Sequence, residues 1–287
     1  MTNDWWLKYQ RAEKHMVDIN QEAMRYAESH PYSFTRIRLP DSHQEIRGRF
    51  QITEQPNPMI AVMLGDFIHN LRSALDWVVV ACSPKKLRYD ASFPILFQDI
   101  FAKDRDGNYV VNDTPRRKRI EIILNGLHPK AKALIIDCQP YRQSVSVNIN
   151  RDIIGIISRL ENTDKHRKII TIGRGGRDFT TYLSVKGFPE PIKHHKVLAT
   201  GSEFLKDDTE IPYIFPPGGF PIPGGSSIQP SEMDMHLKGT VKILVEIPSR
   251  DGSDKSSDFY LIEDIMENAL FNVREIINML EFFVTSE

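Results

Sequence analysis

From Met235 to Ile247 the chain alternates strictly. Met235, Leu237, Gly239, Val241, Ile243, Val245 and Ile247 take one parity, and His236, Lys238, Thr240, Lys242, Leu244 and Glu246 take the other. A period of two sustained over such a length is the pattern of a half-buried strand. A purely helical fold is therefore excluded, and the architecture must contain a sheet. A second segment repeats the signal: Ile46, Gly48, Phe50 and Ile52 alternate with Arg47, Arg49, Gln51 and Thr53. Phe34 to Leu39 is the expected hairpin partner, across the turn-forming Pro40-Asp41-Ser42.

The rest of the chain reads in helical steps. Trp5, Tyr9, Ala12, Met16, Ile19, Ala23 and Tyr26 recur every three or four residues, which predicts a helix over 4–28 closed by Pro31. Further helices are expected over 58–82, 114–126, 130–137, 149–165 and 258–284, the last apolar over a wide arc. Residues 83–113, with Pro84, Pro94 and Gly107, read as an irregular excursion. Lys168–Ile172 and Phe179–Val185 read as strands around a turn at Gly173–Arg177, His194-His195 as a basic loop, and the Pro/Gly-rich 216–225 as loop.

The order helix, strands, helices, strands, helix is that of an α+β fold. The expected assembly is a single domain over 1–287. Its helical bundle of four to five helices comes from 4–28, 58–82, 114–165 and 258–284. A mostly antiparallel sheet from 34–53 and 168–247 would cover one flank.

Charge narrows the function. Thirty-seven Lys and Arg against thirty-eight Asp and Glu give a net charge of -1, so no global field favours nucleic acid or membrane, and only a local patch could. Cys82 and Cys138 are the two cysteines, too few for a disulfide framework or zinc knuckle, and they fit a cytoplasmic location. No leader is read at Met1–Trp6, and apolar runs such as Trp77–Cys82 fall far short of the roughly 20 residues a membrane helix needs. Walker, GxSxG, HExxH and GxGxxG motifs are absent. No cofactor is called for.

Two segments concentrate chemistry. In Gly65–Trp77, Asp66, His69, Asn70, Ser73, Asp76 and Trp77 share one helical arc with Arg72 at its edge. These residue types make directional hydrogen bonds, which suggests that the polar face is buried as well. The second segment, Leu160-Glu161-Asn162-Thr163-Asp164-Lys165-His166-Arg167, ends a helix. Its cations also suit the negative end of the helix dipole.

With His69–Asp76 (HNLRSALD), Gln139–Tyr141 (QPY) and Thr163–Arg167 (TDKHR), the chain resembles a mainly bacterial family of uncharacterised proteins sharing these words over about 57–170. The resemblance implies no activity. A more distant similarity is to HEPN-type helical ribonucleases, whose helix carries an Arg, four to six residues, then a His. There the Arg holds the scissile phosphate, the His handles the 2′-hydroxyl proton, and two protomers share the site. Here Trp77 follows Arg72 after four residues and Val79 after six, so only Arg72 carries over. His69 or His166 would have to supply acid–base chemistry.

Three readings follow. One is a polar inter-helix centre, with Asn70, Asp76, Asp164, Lys165 and Arg167 around Arg72, holding an anionic small molecule through phosphate or carboxylate. Another is a metal-independent endoribonuclease using His69, Arg72 and His166, with RNA as substrate and a homodimer as the expected assembly. The third is a structural network of buried pairs with no ligand. Metal is not expected: Asp66-x2-His69 and Glu161-x4-His166 lack the remaining ligands of a di-iron helix set, and Arg72, Lys165 and Arg167 would repel a cation. The basic run Arg116-Arg117-Lys118-Arg119 could meet phosphates, although such runs usually face solvent.

Overall fold

The computed structural model describes residues 3–37, 45–111, 114–142, 149–165, 170, 172–185, 192–197, 208–214, 220–221, 227–228, 233–248 and 258–284. The fold is α+β. The chain divides into two compact units. One comprises 1–20, 58–171 and 245–287, and the other 21–57 and 172–244.

The first unit is helical. Its elements are α1 (Asp4–Glu28, continuing into the second unit), α2 (Met59–Cys82), α3 (Thr114–Gly126), α4 (Pro129–Asp137), α5 (Ile149–Lys165) and α6 (Ile262–Glu281). Helix α6 packs on α2, α4 and α5, and α2 also packs on α5. Its wide apolar arc explains this, since Ile262, Ile265, Met266, Ala269, Val273, Ile277 and Leu280 are all buried. Helix α2 buries Ile60, Leu64, Phe67, Ile68, Leu71, Leu75, Val78 and Val79, each side chain contributing about 1.5–3 kcal/mol of burial. It stops at Ser83, which is extended ahead of Pro84. Trp5 and Trp6 of α1 both donate indole N–H bonds to the Glu281 carboxylate of α6, and the Tyr9 hydroxyl donates to the Leu270 carbonyl. The paired tryptophans thus dock the first helix onto the last.

The second unit is β-structure. Strands β1 (Tyr32–Ile37), β2 (Glu45–Ile52) and, after β3 (Ile172–Val185) and β4 (Ile192–Val197), β5 (Thr209–Ile214) form an antiparallel sheet in the order β1-β2-β5. Phe34 sits opposite Phe50, and its ring lies over Gly48, where any Cβ would overlap it. β3 pairs antiparallel with β4 and lies beside β8 (Met233–Ile247). Short β6 (Phe220–Pro221) and β7 (Ser227–Ile228) pair with each other.

Four local expectations are corrected. The segment Gly173–Arg177 does not turn but runs inside the continuous strand β3, a strand with neighbours on both sides, and such tertiary context outweighs the local glycine signal. His194 and His195 lie in β4, not in a loop. The stretch 216–225 contributes the two-residue strand β6, short enough to admit Pro221. Asp258–Leu261 forms a strand, β9, and the final helix starts only at Ile262. The turn at 40–42 lies outside the described residues.

Candidate functional site

Helix α2 presents Arg72 and Asp76 one turn apart toward the extended segment 92–95. Asp76 Oδ1 accepts the Phe93 N–H at 2.8 Å, and Arg72 Nη2 donates to the Phe93 carbonyl at 2.6 Å. The two side chains are themselves 3.0 Å apart. They thus satisfy both backbone groups of a buried residue outside any sheet, as a neighbouring strand would. Gln139 repeats the device: Oε1 accepts from Leu96 N–H at 2.8 Å, while Nε2 donates to the Ile135 carbonyl at 2.7 Å. The motif words around Arg72 and Gln139 therefore have a structural use, pinning the irregular excursion to the helices.

Helix α5 closes the centre. Glu161, 6% exposed, places Oε2 at 3.6 Å from Arg72 Nε and Oε1 at 3.7 Å from His69 Nδ1. His69 Nε2 lies 3.5 Å from the Ser73 hydroxyl. Asp164 lies against α2, its Oδ1 2.9 Å from where a Cβ on Gly65 would be. The two segments singled out in the sequence are therefore spatial neighbours through Glu161 and Asp164. Asn70 turns inward on its own helix, donating to the Asp66 carbonyl at 2.7 Å. His166, Arg167 and the side chain of Lys165 lie outside the described residues.

One expectation about α2 is corrected. Its polar face is not buried: Asp66, His69 and Trp77 are exposed, and Asn70, Ser73 and Asp76 are half-buried. Directional residue types served local bonds and a partly open surface rather than a sealed interior.

Beside Arg72 opens a cleft of about 450 Å³ between α2, α3, α5 and segment 92–95. Its walls carry Arg72, Arg116 and Arg119 against Asp76 and Glu161, with an apolar side made by Phe93, Ile95, Ile120 and Ile123. Arg72 is spent on its two carboxylates and a carbonyl, although its Nη1 is buried without a hydrogen-bond partner. Arg116 donates to the Ile95 carbonyl at 3.2 Å and meets no carboxylate among the described residues. Arg119 has a loose exposed pairing with Asp90 at 3.6 Å. His69 and Asp164 are not in the cleft wall.

Sequence reading singled out the Arg72/Asp76 pair but passed over Glu161 as a partner and Arg116 and Arg119 as wall residues. The basic run was the one signal available for the latter. It also passed over His15, buried on α1, whose proton affinity is lowered by burial and by Arg11, with Asp66 opposing. A second ion pair, Arg159 to Asp152 at 2.9 Å, lies part-buried along α5. Among the described residues no group of His, Cys, Asp and Glu is arranged to hold a metal, and no helix is long and apolar enough to cross a membrane. Compared with known proteins, the chain matches no family model, no curated protein and no solved structure.

Proposed function

We propose that this protein binds a small anionic molecule, through a phosphate or carboxylate group, in the cleft beside Arg72. The observation that carries the reading is the wall composition: three arginines face two carboxylates, and those two are already engaged by Arg72. The surplus positive charge lies next to an apolar side, the mixture of one polar anchor and an apolar bed found in small-molecule sites. Arginine supports the assignment, since its planar fork matches oxyanion geometry.

A bound ligand stabilises the folded form by mass action, about 2.7 kcal/mol at a hundredfold excess over the dissociation constant. The test is a thermal melt in sodium phosphate against sodium chloride at matched ionic strength, on wild type and on Asn162→Trp, which places a bulky ring in the cleft wall. A phosphate-dependent rise in Tm that is lost in Asn162→Trp supports the reading. Equal melts in both salts remove it.

A further inference from the structure

We propose that the ligand is a phosphate monoester on a small apolar body, and that its phosphate is received by Arg116 and Arg119 of α3 rather than by Arg72. This rests on the cleft being a binding site and names the groups that do the binding.

Two independent observations converge. The first is charge accounting inside the cleft. Arg72 has a carboxylate at 3.0 Å, a second at 3.6 Å and a carbonyl at 2.6 Å, so its charge is neutralised and its Nε and Nη2 are occupied. Releasing it would take a guanidinium from the carboxylate of Glu161, which is 6% exposed. Arg116 and Arg119 are exposed and carry no comparable debt. Among the described residues Arg116 bonds a carbonyl alone; Arg119 donates to the Asp90 carbonyl at 3.4 Å, and its pairing with the Asp90 carboxylate is between groups that are both 64% exposed, a kind worth little.

The second observation concerns α3 itself. Arg116, Arg117, Lys118 and Arg119 occupy the start of the helix, and its first turn has no acidic residue. The N-terminal end of a helix carries positive partial charge and favours anions, so a cationic run there is a local misfit. Asp113 directly precedes the helix in sequence, one carboxylate against the four cations of this run, and local misfits of this kind concentrate at functional sites, where an anionic ligand would offset the remaining charge. Of the four, Arg117 is buried against the Tyr109 ring at 3.5 Å and bonds the Val111 carbonyl. Arg116 and Arg119, three residues apart on one helical face, are the two that line the cleft.

Two guanidinium groups match the two charges of a phosphate monoester better than the single charge of a carboxylate. Ile120 and Ile123 continue the same helix face into the cleft, and Phe93 and Ile95 oppose them, giving the organic body an apolar surface.

The probes are inorganic phosphate, phenyl phosphate and benzoate, titrated calorimetrically into the full chain. Phenyl phosphate is expected to bind about tenfold tighter than inorganic phosphate, and benzoate weakest, a tenfold step corresponding to about 1.4 kcal/mol. Arg116→Ala and Arg119→Ala should each weaken phenyl phosphate about tenfold while leaving the thermal midpoint without ligand unchanged, and the double variant should abolish binding. Phenyl phosphate binding that survives Arg116→Ala/Arg119→Ala but fails in Arg72→Lys overturns this assignment and leaves the cleft itself standing as a site. Benzoate binding as tightly as phenyl phosphate overturns the phosphate specificity. If none of the three probes binds wild type, the cleft reading falls and this inference falls with it.

Discussion

Arg72 and Arg116 border the same cleft and answer to opposite demands. Arg72 is fixed by Asp76, Glu161 and the Phe93 carbonyl. Removing it takes a guanidinium from Glu161 and the donor from the Phe93 carbonyl, and breaking one side of such a buried pair costs about 3–5 kcal/mol. Arg72→Ala is therefore expected to lower the urea midpoint strongly, with Asp76→Asn milder because Phe93 N–H keeps an acceptor. Arg116→Ala, at an exposed position, should stay within about 0.5 kcal/mol of wild type. Equal losses in the two arginine variants would contradict this division of roles. The Arg72–Asp76 pair was legible in the sequence because four residues along one helix fix their adjacency. Its outer partners were not, because Glu161 arrives from a distant helix and Phe93 contributes only backbone atoms, which leave no trace in residue identity.

At the level of elements, two glycines test how closely the helices are set. Gly65 on α2 faces the tip of the exposed Asp164, which can swing aside. Gly65→Ala is expected to be neutral or slightly stabilising, since replacing a mid-helix glycine gains about 1 kcal/mol of helix propensity. Gly155 on α5 has no such latitude: a Cβ there meets Asp152 Cγ and Phe97 Cε1, each at 3.1 Å, and Asp152 is held by Arg159. Gly155→Ala should cost about 1–3 kcal/mol despite the same propensity gain. Chemical denaturation of both variants decides it, and a stabilised Gly155→Ala would count against the tight setting of α5. The helices themselves were legible from period alone, with α2 and α5 within a residue or so of expectation. Strand β3 was misread because its glycines look like a turn until a partner strand is present, and pairing is a non-local fact.

For the molecule as a whole, three kinds of group shape the dependence of stability on pH. His15 has its proton affinity lowered by burial first and by Arg11 next. Below its ordinary value of 6.5 the unfolded chain takes up that proton more readily than the folded one, so stability falls on acidification. Cys82 and Cys138 are pushed up by burial to about 12, and Tyr9 is raised by burial and by Glu13. The thiols' contribution is intact below their ordinary value of 9.0 and is lost as pH climbs from there toward 12, and that of Tyr9 is lost above its ordinary value of 10.0. The expected Tm profile is a plateau with two falling limbs. His15→Gln should flatten the acid limb, and Cys82→Ala with Cys138→Ala the alkaline one. Unaltered limbs in those variants would place the titrating groups elsewhere. The α+β class was legible from the order of periodicities, whereas the partition into two units was not, since it depends on which apolar faces meet.

The bond from Trp5 to Glu281, 2.9 Å long and shared with Trp6, gives this chain a built-in optical gauge of whether α1 is seated on α6. The indole and the carboxylate that anchors it lie 276 positions apart in sequence, so the bond exists only when α1 rests on α6. In a Trp77→Phe background, which leaves only these two rings to emit, indole fluorescence should shift as α1 leaves α6 in rising urea, and a trace that stays flat through the unfolding transition would count against this docking.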